Sequence, residues 1–343
     1  MSNKIGEGKT IILGMPDWFL YIEIKERLES LGFEVIGIPF TSQFTYKNLG
    51  SRIKNFLRKN LFNDKTYKNR LKYEVTGREI TNTINSISSP LDYALLIRAD
   101  YYPKEIIQLI KQKAKVLLGY QWDGIERFPA ILESTSLFDR FYVFNPHDLN
   151  HYEHLLPLTN FFIESNSSSN HTSIDVYYVG SFIRKRMDQL ISLGNFFRNQ
   201  EISSHIHVVT GNQKKLELYK DSSITVTSQY VNYQENLENL HKAKVLVDLL
   251  DDVHNGLSFR VFEALGNNKK LITNNKEIRF YDFYRPENIY IIENENFDGL
   301  LEFIQSPYVE LDQDLVHKYS FDNWIKYVLQ ISPYQQISLP KIS

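Results

Sequence analysis

The residues best suited to chemistry lie in one polar loop, 251–256, between a short apolar run and an amphipathic segment. The run 245–250 is typical of a strand that is buried on both faces of a parallel sheet. After the loop, Ser258 is placed to cap a helix that begins near Phe259. A helix N-terminus presents free N–H groups and a partial positive charge, so this strand–loop–helix segment predicts an anion site.

Two charged residues follow on the predicted helix. Arg260 and Glu263 are three positions apart, so they project from neighbouring places on one side of it. A guanidinium is suited to a phosphate and a carboxylate to a sugar hydroxyl, and Gly256 would let a ligand approach the backbone closely. The alternative interpretation is an ordinary capped loop before a solvated ion pair, and the spacing alone does not decide between the two.

A second candidate phosphate site lies at 178–186, YVGSFIRKR. Gly180 and Ser181 end a predicted strand and Arg184 opens a predicted helix, which together predict a cradle for a diphosphate. The alternative is a plain strand-to-helix turn with solvated charges. Thr210 ends the predicted strand 205–210, at the same edge of the predicted sheet, and is a further candidate for binding the same ligand.

Length and composition limit the possible classes of protein. A chain of 343 residues is long for one core and suits two domains of roughly 150 to 170 residues each. The 39 Lys and Arg residues nearly balance 41 Asp and Glu residues, so no global field would attract nucleic acid. The absence of cysteine excludes disulfides, thiolate zinc sites and a cysteine nucleophile. The sequence contains no recognisable signal peptide or membrane-spanning run, which predicts a cytoplasmic location.

Short apolar runs alternate with helical patterns along most of the chain, which predicts parallel sheets with helices on both faces. The predicted strands are 10–14, 33–38, 93–97, 116–120 and 141–144, then, after a polar low-complexity segment at 160–172, 174–179, 205–210, 224–227, 245–250, 269–273 and 289–292. Ligands of such sheets bind beyond the carboxyl ends of the strands. Gly14 stands without the Gly-x-Gly-x-x-Gly spacing, which argues against a dinucleotide site. His205 and His207, on alternate strand positions, indicate packing more than a metal site.

A basic segment at 51–72 carries eight Lys and Arg residues against one acid, Asp64, with apolar residues at helical spacing. Such a helix can lie on an anionic bilayer or hold an acidic acceptor. The alternative is a solvated helix with an ordinary core face. The residues predicted for membrane contact are Arg52, Phe56, Arg58, Lys59 and Phe62.

The run 255–266, NGLSFRVFEALG, resembles the donor-site motif of GT-B glycosyltransferases, in which an acidic residue, a glycine and a Glu-Ala pair grip a nucleotide sugar. Segments 119–123, 138–148 and 154–158 are also similar to bacterial capsule and lipopolysaccharide biosynthesis transferases of the group 1-like and CgeB-like kind. Together the resemblance spans most of residues 90–295.

The resemblance implies an α/β protein of GT-B fold, with two Rossmann-like domains facing a central cleft. Residues 1–160 would form an acceptor-binding domain and 161–320 a domain that binds the nucleotide-sugar donor. Residues 321–343 would form a helix and tail that return to the first domain. With the spacing arguments above, the predicted donor-binding residues are Gly180, Ser181, Arg184, Thr210, His254, Asn255, Gly256, Leu257, Ser258, Arg260 and Glu263.

The resemblance also implies the reaction. A sugar would pass from a nucleotide-diphosphate donor to a surface-polysaccharide, lipopolysaccharide or lipid-linked glycan acceptor at the inner face of the cytoplasmic membrane. Inverting transfer needs a general base for the acceptor hydroxyl. Asp123 is the first candidate, because it follows a buried-looking strand in the acceptor half, and Asp17 is the second. The alternative role for Asp123 is a helix N-cap beside a core Trp.

One position departs from the family pattern. Retaining enzymes of the large GT-B group carry two acids eight positions apart, and here these positions hold Asn255 and Glu263. Asn255 can hydrogen-bond to a sugar hydroxyl but supplies no charge, which favours inversion. The leaving diphosphate would then be stabilised by basic side chains and helix N-termini. Because no Asp-x-Asp motif stands at a strand end, we expect no cofactor and no obligatory metal.

Two other functions stay open at this stage. A sugar-nucleotide epimerase or hydrolase would share the fold and change the reaction. A non-catalytic glycan- or nucleotide-binding module would fit the missing acid at position 255. A nucleic-acid partner is not expected, because the charges of the chain nearly cancel.

Overall fold

The computed structural model describes residues 4–16, 19–40, 49–61, 67–164, 172–250, 256–293 and 297–341. The chain divides into two compact units. Unit 1 consists of residues 1–143 and 148–156, and unit 2 of residues 144–147 and 157–343. The short segment 144–147 therefore packs with the second half of the chain although it follows the last long strand of the first.

Unit 1 is built on a sheet whose strands follow the order β2-β1-β3-β4-β5-β6 within the described residues. The registers of β1 to β5 are parallel, and the first crossover places β1 between β2 and β3. The strands are β1 (Thr10–Gly14), β2 (Glu34–Gly37), β3 (Leu91–Ile97), β4 (Ala114–Gln121), β5 (Arg140–Val143) and β6 (Leu156–Pro157). The helices are α1 (Phe19–Ser30), α2 (Leu49–Leu61), α3 (Tyr67–Ser86), α4 (Lys104–Lys113), α5 (Leu132–Thr135) and α6 (Pro146–His151).

Unit 2 holds a second sheet, whose strands follow the order β12-β11-β10-β7-β8-β9 and are parallel throughout their registers. Its strands are β7 (Ile174–Ser181), β8 (Ser204–Val209), β9 (Thr225–Thr227), β10 (Ala243–Asp248), β11 (Lys270–Thr273) and β12 (Ile289–Ile291). Its helices are α7 (Arg184–Asn199), α8 (Gln213–Leu218), α9 (Tyr233–Lys242), α10 (Phe259–Gly266), α11 (Leu300–Gln305), α12 (Gln313–His317) and α13 (Phe321–Leu329).

The order of unit 2 reverses between β7 and β10. Counted from β7, the sheet runs 3-2-1-4-5-6, the order of a dinucleotide-binding Rossmann sheet. Because successive crossovers leave in opposite directions from these two central strands, a crevice opens at their carboxyl ends. Both predicted donor loops, after Ser181 and after Asp248, begin at this point.

Helices cover both faces of the second sheet. The apolar side of α7, with Met187 and Leu190, packs on one face beside Tyr178. The apolar side of α10, with Val261 and Phe262, packs on the other face. Val245, Leu246 and Val247 of β10 are at most 1% exposed, which confirms the prediction of a strand buried on both faces.

Most elements lie where the sequence patterns place them. The structure confirms β1, the helix over 104–113 and the helix that starts at Phe259, each at the predicted residues. The sequence pattern also predicts a helix around 125–133, but these residues form two 3-10 turns and one short α-helix. Gly266 and Asn267 are predicted to end the helix after Ser258 as left-handed residues. Helix α10 does end at Gly266, but the left-handed residue is Asn268, with φ of 51°.

The basic segment at 51–72 forms parts of two helices, α2 and α3, rather than one. Within α2 the apolar residues Ile53, Phe56 and Leu57 are 58%, 65% and 43% exposed. The alternative of an ordinary core face is therefore wrong for these three residues. Phe62 lies outside the described residues, as does the side chain of Lys59.

The terminal helix α13 packs within unit 2. The indole N–H of Trp324 donates to the carbonyl of Thr159 at 2.9 Å, and its ring lies 4.8 Å from that of Phe161. Ser320 caps the helix by accepting from the backbone N–H of Asn323. The return of residues 321–343 to the first domain stays a prediction. Among the residues that the structure covers, no helix is long and apolar enough to cross a membrane.

Candidate functional site

Tyr178 lies beside Gly180 at the carboxyl end of β7. A Cβ atom at position 180 would stand 2.6 Å from the Tyr178 hydroxyl, so only glycine leaves room for that side chain to reach the end of the strand. The hydroxyl is buried and has no hydrogen-bond partner among the described residues. Burial raises the pKa of Tyr178, and the charge of Arg186 and its polar contact with this hydroxyl oppose the rise, so the two side chains are neighbours. Tyr178 is thus a neutral donor aimed at the switch point of the sheet.

The first turn of α7 faces the same end of β7. Its N-cap residue, Ile183, offers no side-chain cap and the first turn holds no acid. Its free N–H groups and the helix dipole therefore favour an anion. Arg184, the predicted phosphate ligand, instead projects outward: its side chain is 66% exposed and pairs with Asp188 at 2.9 Å.

Arg186 is the inward-facing cation of this turn. Its Nε atom is buried and has no partner in the part of the chain that the structure describes. The helical pattern contains the signal for this placement, because position 186 precedes the buried Met187 by one residue and the buried Leu190 by four. The pattern at 178–186 thus predicts the exposed Arg184 as the ligand and misses Arg186, the arginine whose Nε atom is buried.

The start of α10 approaches the site from the other face of the sheet. Ser258 caps α10, as predicted: its Oγ accepts from the Arg260 N–H at 3.2 Å. The same hydroxyl donates to Asp248 at the end of β10, at 2.8 Å. Ser258 is therefore engaged by protein atoms, and it holds the helix terminus against its strand.

Arg260 and Glu263 form a mostly buried pair rather than a solvated one. Arg260 Nε lies 3.4 Å from Glu263 Oε2, and the two side chains are 16% and 15% exposed. Arg260 Nη2 donates to the carbonyl of Val179 at 3.4 Å. Its remaining terminal nitrogen, Nη1, is buried and has no partner among the described residues. Glu263 thus orients a guanidinium that still has a donor to offer.

Gly256 and Leu257 serve packing at the start of this helix. A Cβ atom at Gly256 would stand 2.5 Å from the ring of Phe144. The Leu257 side chain is 2% exposed within the core of unit 2, and its carbonyl accepts from Asn160 at 2.9 Å. Close approach of a ligand stays the predicted reason for this glycine. The structure adds a second reason, which is the lack of space for a Cβ atom beside Phe144.

The other predicted donor residues differ in position. Ser181 is exposed at the end of β7. The hydroxyl of Thr210 accepts from the N–H of Asn212, which caps α8. His254 and Asn255 lie outside the described residues, and so does Asp17 of the first unit.

Three donor atoms that lack a hydrogen-bond partner among the residues described by the structure lie near the end of one strand. Tyr178 Oη, Arg186 Nε and Arg260 Nη1 come from β7, α7 and α10, on both faces of the sheet. Buried polar groups in folded proteins normally have hydrogen-bond partners. A buried hydrogen-bond donor without a partner costs about 1–3 kcal/mol of stability, and a charged donor costs more. Two guanidinium donors, one phenol and a helix N-terminus form a suitable set for a phosphate or diphosphate.

The predicted base of unit 1, Asp123, follows β4 and is 17% exposed. Its Oδ2 atom accepts from Nη1 of Arg98, a residue that is 2% exposed. Its Oδ1 atom lies 3.5 Å from Nη1 of Arg127, which is 43% exposed on its side chain. The helix-cap alternative receives no support, because the turn that starts after Gly124 has no side-chain cap.

No metal-ligand cluster of His, Cys, Asp and Glu occurs within the described ranges. The rings of His205 and His207 stack with 6.0 Å between centroids and an interplanar angle of 3°. This agrees with the packing role that their spacing predicts. The pKa of His207 is lowered by burial and by the neighbouring His205.

Comparison with known proteins places the fold. No protein-family model and no curated protein sequence matches the chain. Among solved structures, apo OtsA superposes with a TM-score of 0.56 at 9% identity, over 95% of this chain and 100% of that chain. The chain has the GT-B fold.

Two other solved structures are similar over nearly the whole chain. The lipopolysaccharide outer core galactosyltransferase WaaB, in its apo form, gives a TM-score of 0.51 at 12% identity, over 93% of this chain and 97% of that chain. The N-terminal domain of Candida albicans trehalose-6-phosphate phosphatase gives 0.51 at 12% identity, over 94% and 97%. At these identities the similarity is one of fold, so the site itself must carry the argument about function.

Proposed function

We propose that this GT-B protein is a glycosyltransferase that takes its sugar from a nucleotide-diphosphate donor held by unit 2. The observation that carries the proposal is a set of three buried donor atoms, Tyr178 Oη, Arg186 Nε and Arg260 Nη1, which have no hydrogen-bond partner within the described part of the chain and lie at the switch point of the second sheet. A diphosphate supplies the acceptor oxygens that these groups lack. Glu263, held 3.4 Å from Arg260, is then placed to accept from a sugar hydroxyl.

The reaction that follows is a displacement at the anomeric carbon. The acceptor oxygen forms a bond to that carbon, the bond from carbon to the phosphate oxygen breaks, and its electron pair leaves with the nucleoside diphosphate. Arg186 and Arg260 stabilise the charge that develops on the leaving diphosphate. The acceptor proton passes to a base, for which Asp123 is our candidate through its Oδ1 atom. Because position 255 holds Asn255 and not an acid, we propose that the anomeric configuration is inverted. We also propose that the transfer needs no metal ion.

The acceptor class is a surface-polysaccharide, lipopolysaccharide or lipid-linked glycan. The fold similarity to WaaB, named as a lipopolysaccharide outer core galactosyltransferase, supports this class. The exposed apolar residues of α2 support it as well, since Arg52, Lys54 and Arg58 accompany them and Leu49–Leu61 contains no acid. A basic helix with an exposed apolar side binds anionic lipid surfaces. We therefore propose peripheral contact with the inner face of the cytoplasmic membrane.

One assay separates the proposed transfer from its rivals. The purified protein is incubated with a panel of nucleotide-diphosphate sugars, with and without lipid-linked and oligosaccharide acceptors, and the products are identified by mass spectrometry. We expect release of the nucleoside diphosphate only with an acceptor, together with an acceptor one sugar heavier. Epimerised or hydrolysed donor without an acceptor would favour the epimerase or hydrolase instead. Binding without any product would favour the non-catalytic module.

A further inference from the structure

Arg98 occupies an unusual position at the carboxyl end of β3 in unit 1. It is the residue directly after the strand, and its backbone is left-handed, with φ of 60° and ψ of 57°. For a side chain other than glycine, asparagine or aspartate this conformation costs roughly 1–2 kcal/mol. Such strain persists only where the surroundings impose it, and it concentrates at functional sites.

The surroundings of Arg98 use most of its donors. Nε and Nη2 donate to the two oxygens of Asp100, at 2.7 and 2.9 Å, and Nη1 donates to Asp123. Gln121, which is fully buried, donates to Asp100 Oδ1 at 3.0 Å and fixes that carboxylate in turn. The guanidinium carbon lies 4.1 Å from the ring centroid of Phe128.

This arrangement joins the ends of two neighbouring strands. Asp100 and Arg98 follow β3, while Gln121 and Asp123 belong to or follow β4. The two oxygens of Asp100 accept from Nε and Nη2 of Arg98 and so fix the plane of the guanidinium. The third nitrogen, Nη1, then points at Asp123. Asp123 is consequently held through one oxygen, Oδ2. Among the described residues, the contact of its other oxygen is the more distant, half-exposed Arg127 at 3.5 Å.

We propose that Arg98 is a positioning residue that orients Asp123 for proton abstraction, with Asp100 and Gln121 as its supports. This inference rests on the proposed glycosyl transfer and deepens it. A base must hold one carboxylate oxygen in a fixed direction to take the acceptor proton, and a charge-assisted hydrogen bond to the other oxygen fixes that direction. The ring of Phe128 excludes water from one side of the guanidinium, which strengthens the interaction.

The test uses substitutions chosen for the left-handed backbone conformation of Arg98. Arg98→Gly removes the guanidinium and adopts the left-handed conformation without strain, whereas Arg98→Ala would confuse the two effects. Arg98→Lys keeps the charge but lacks the fork that engages both carboxylates. The first readout is kcat for sugar transfer, together with KM for the sugar donor.

For Arg98→Gly we expect kcat to fall about tenfold or more, because Asp123 loses the group that orients it. The KM for the sugar donor should stay within about twofold, because the residues that bind it belong to unit 2. Arg98→Lys should restore part of kcat. A merely structural arginine would lower the melting temperature and leave the kcat of the folded protein unchanged, and that outcome would overturn the proposal.

The second readout does not depend on turnover. Carbodiimide coupling with glycine ethyl ester labels carboxyl groups that are not engaged by a cation, and peptide mass spectrometry compares Asp123 with Asp175, a reference carboxylate paired with Lys244 in unit 2. At one fixed pH we expect Asp123 labelling to rise about fivefold in Arg98→Gly, because the carboxylate loses its ion pair, with Asp175 unchanged. Equal Asp123 labelling would refute the positioning role.

The two readouts also separate the two proposals. If the wild-type protein transfers no sugar yet Asp123 labelling rises as expected, glycosyl transfer fails while the pairing of Arg98 with Asp123 stands. Should Arg98→Gly fail to fold, Arg98→Lys carries the same test with smaller changes in the same direction. Unchanged labelling and an unchanged kcat in that variant would count against the proposal.

Discussion

Gly256 lies directly against the ring of Phe144, which belongs to the segment 144–147 that packs with unit 2. A Cβ atom on Gly256 would stand 2.5 Å from the nearest ring atom. The residue that leads into α10 therefore packs against an aromatic residue from a distant part of the sequence. The position of the helix terminus, and of Arg260 two residues into the helix, depends on this contact.

Gly256→Ala tests this contact. Overpacking of this kind costs about 1–3 kcal/mol of stability, and we expect a loss of that size in the free energy of unfolding of unit 2. Phe144→Leu frees space beside the new methyl group, so the double variant should recover part of the loss. Denaturant titration monitored by hydrogen exchange of β10 and α10 measures both. Unchanged stability of Gly256→Ala would contradict the packing role.

Arg186 and Arg184 provide a matched pair on one helix turn. We expect Arg186→Met to weaken binding of a nucleoside diphosphate about tenfold or more, since a buried charge-assisted hydrogen bond is worth about 1.5–3 kcal/mol. Arg184→Met should change affinity less than about twofold, because that side chain is exposed and paired with Asp188. Calorimetric titration of both variants checks this, and the reverse ranking would show that the exposed arginine is the ligand.

Asp92 makes the stability of unit 1 depend on acid. Its pKa is lowered by the ion-paired hydrogen bond from Lys115 and by the backbone N–H of Thr10. The folded protein therefore keeps this charge to lower pH than the unfolded chain, whose pKa is about 3.9. The stabilisation, about 1 kcal/mol, is present above about pH 4 and is lost as the pH falls through the folded-state pKa.

Unfolding curves between about pH 2 and 7 should therefore show a steeper acid loss in the wild-type protein than in Asp92→Asn. At neutral pH the variant should be the less stable of the two, because it gives up the ion pair with Lys115. Parallel curves for the two proteins would mean that Asp92 contributes nothing to the acid sensitivity.

The α2 surface, defined by Arg52, Ile53, Leu57 and Arg58, is expected to bind anionic vesicles. Ile53→Ser with Leu57→Ser, or Arg52→Gln with Arg58→Gln, should each reduce flotation with vesicles rich in anionic lipid by about threefold or more, since each Lys or Arg near the surface contributes about 1 kcal/mol. Ile22→Ser removes an equally exposed apolar residue, 57% exposed on α1, and should have no effect. Undiminished flotation of both α2 variants would refute the membrane contact.

The sequence predicts the strands of this protein better than its side-chain roles. Strand β10 is recognisable because burial on both faces demands an unbroken apolar run, and Ser258 because few residue types cap a helix. The order of the strands in the second sheet, which creates the switch point between β7 and β10, is not written in any local pattern. The strand order depends on the side of the central strand β7 to which each helical connection leads the next strand.

Individual roles depend on direction and on distant contacts. Arg184 and Arg186 look equivalent as residue types, and only the phase of the α7 helix separates the exposed from the buried one. The reason for Gly256 lies in Phe144, more than a hundred positions earlier in the sequence. Arg98 carries no motif at all, because its role arises where β3 and β4 end side by side.

Binding of a nucleoside diphosphate to unit 2 is the central claim, and a thermal-shift titration tests it most directly. The wild-type protein and an Arg186→Met/Arg260→Met variant are titrated with a panel of nucleoside diphosphates and their parent nucleosides. A ligand at about 100 times its Kd stabilises the native state by about 2.7 kcal/mol. We predict that at least one diphosphate raises the melting temperature of the wild-type protein, while its nucleoside and the double variant show no comparable shift. If no diphosphate shifts the wild-type protein, or if the double variant shifts equally, the account of the donor site is contradicted.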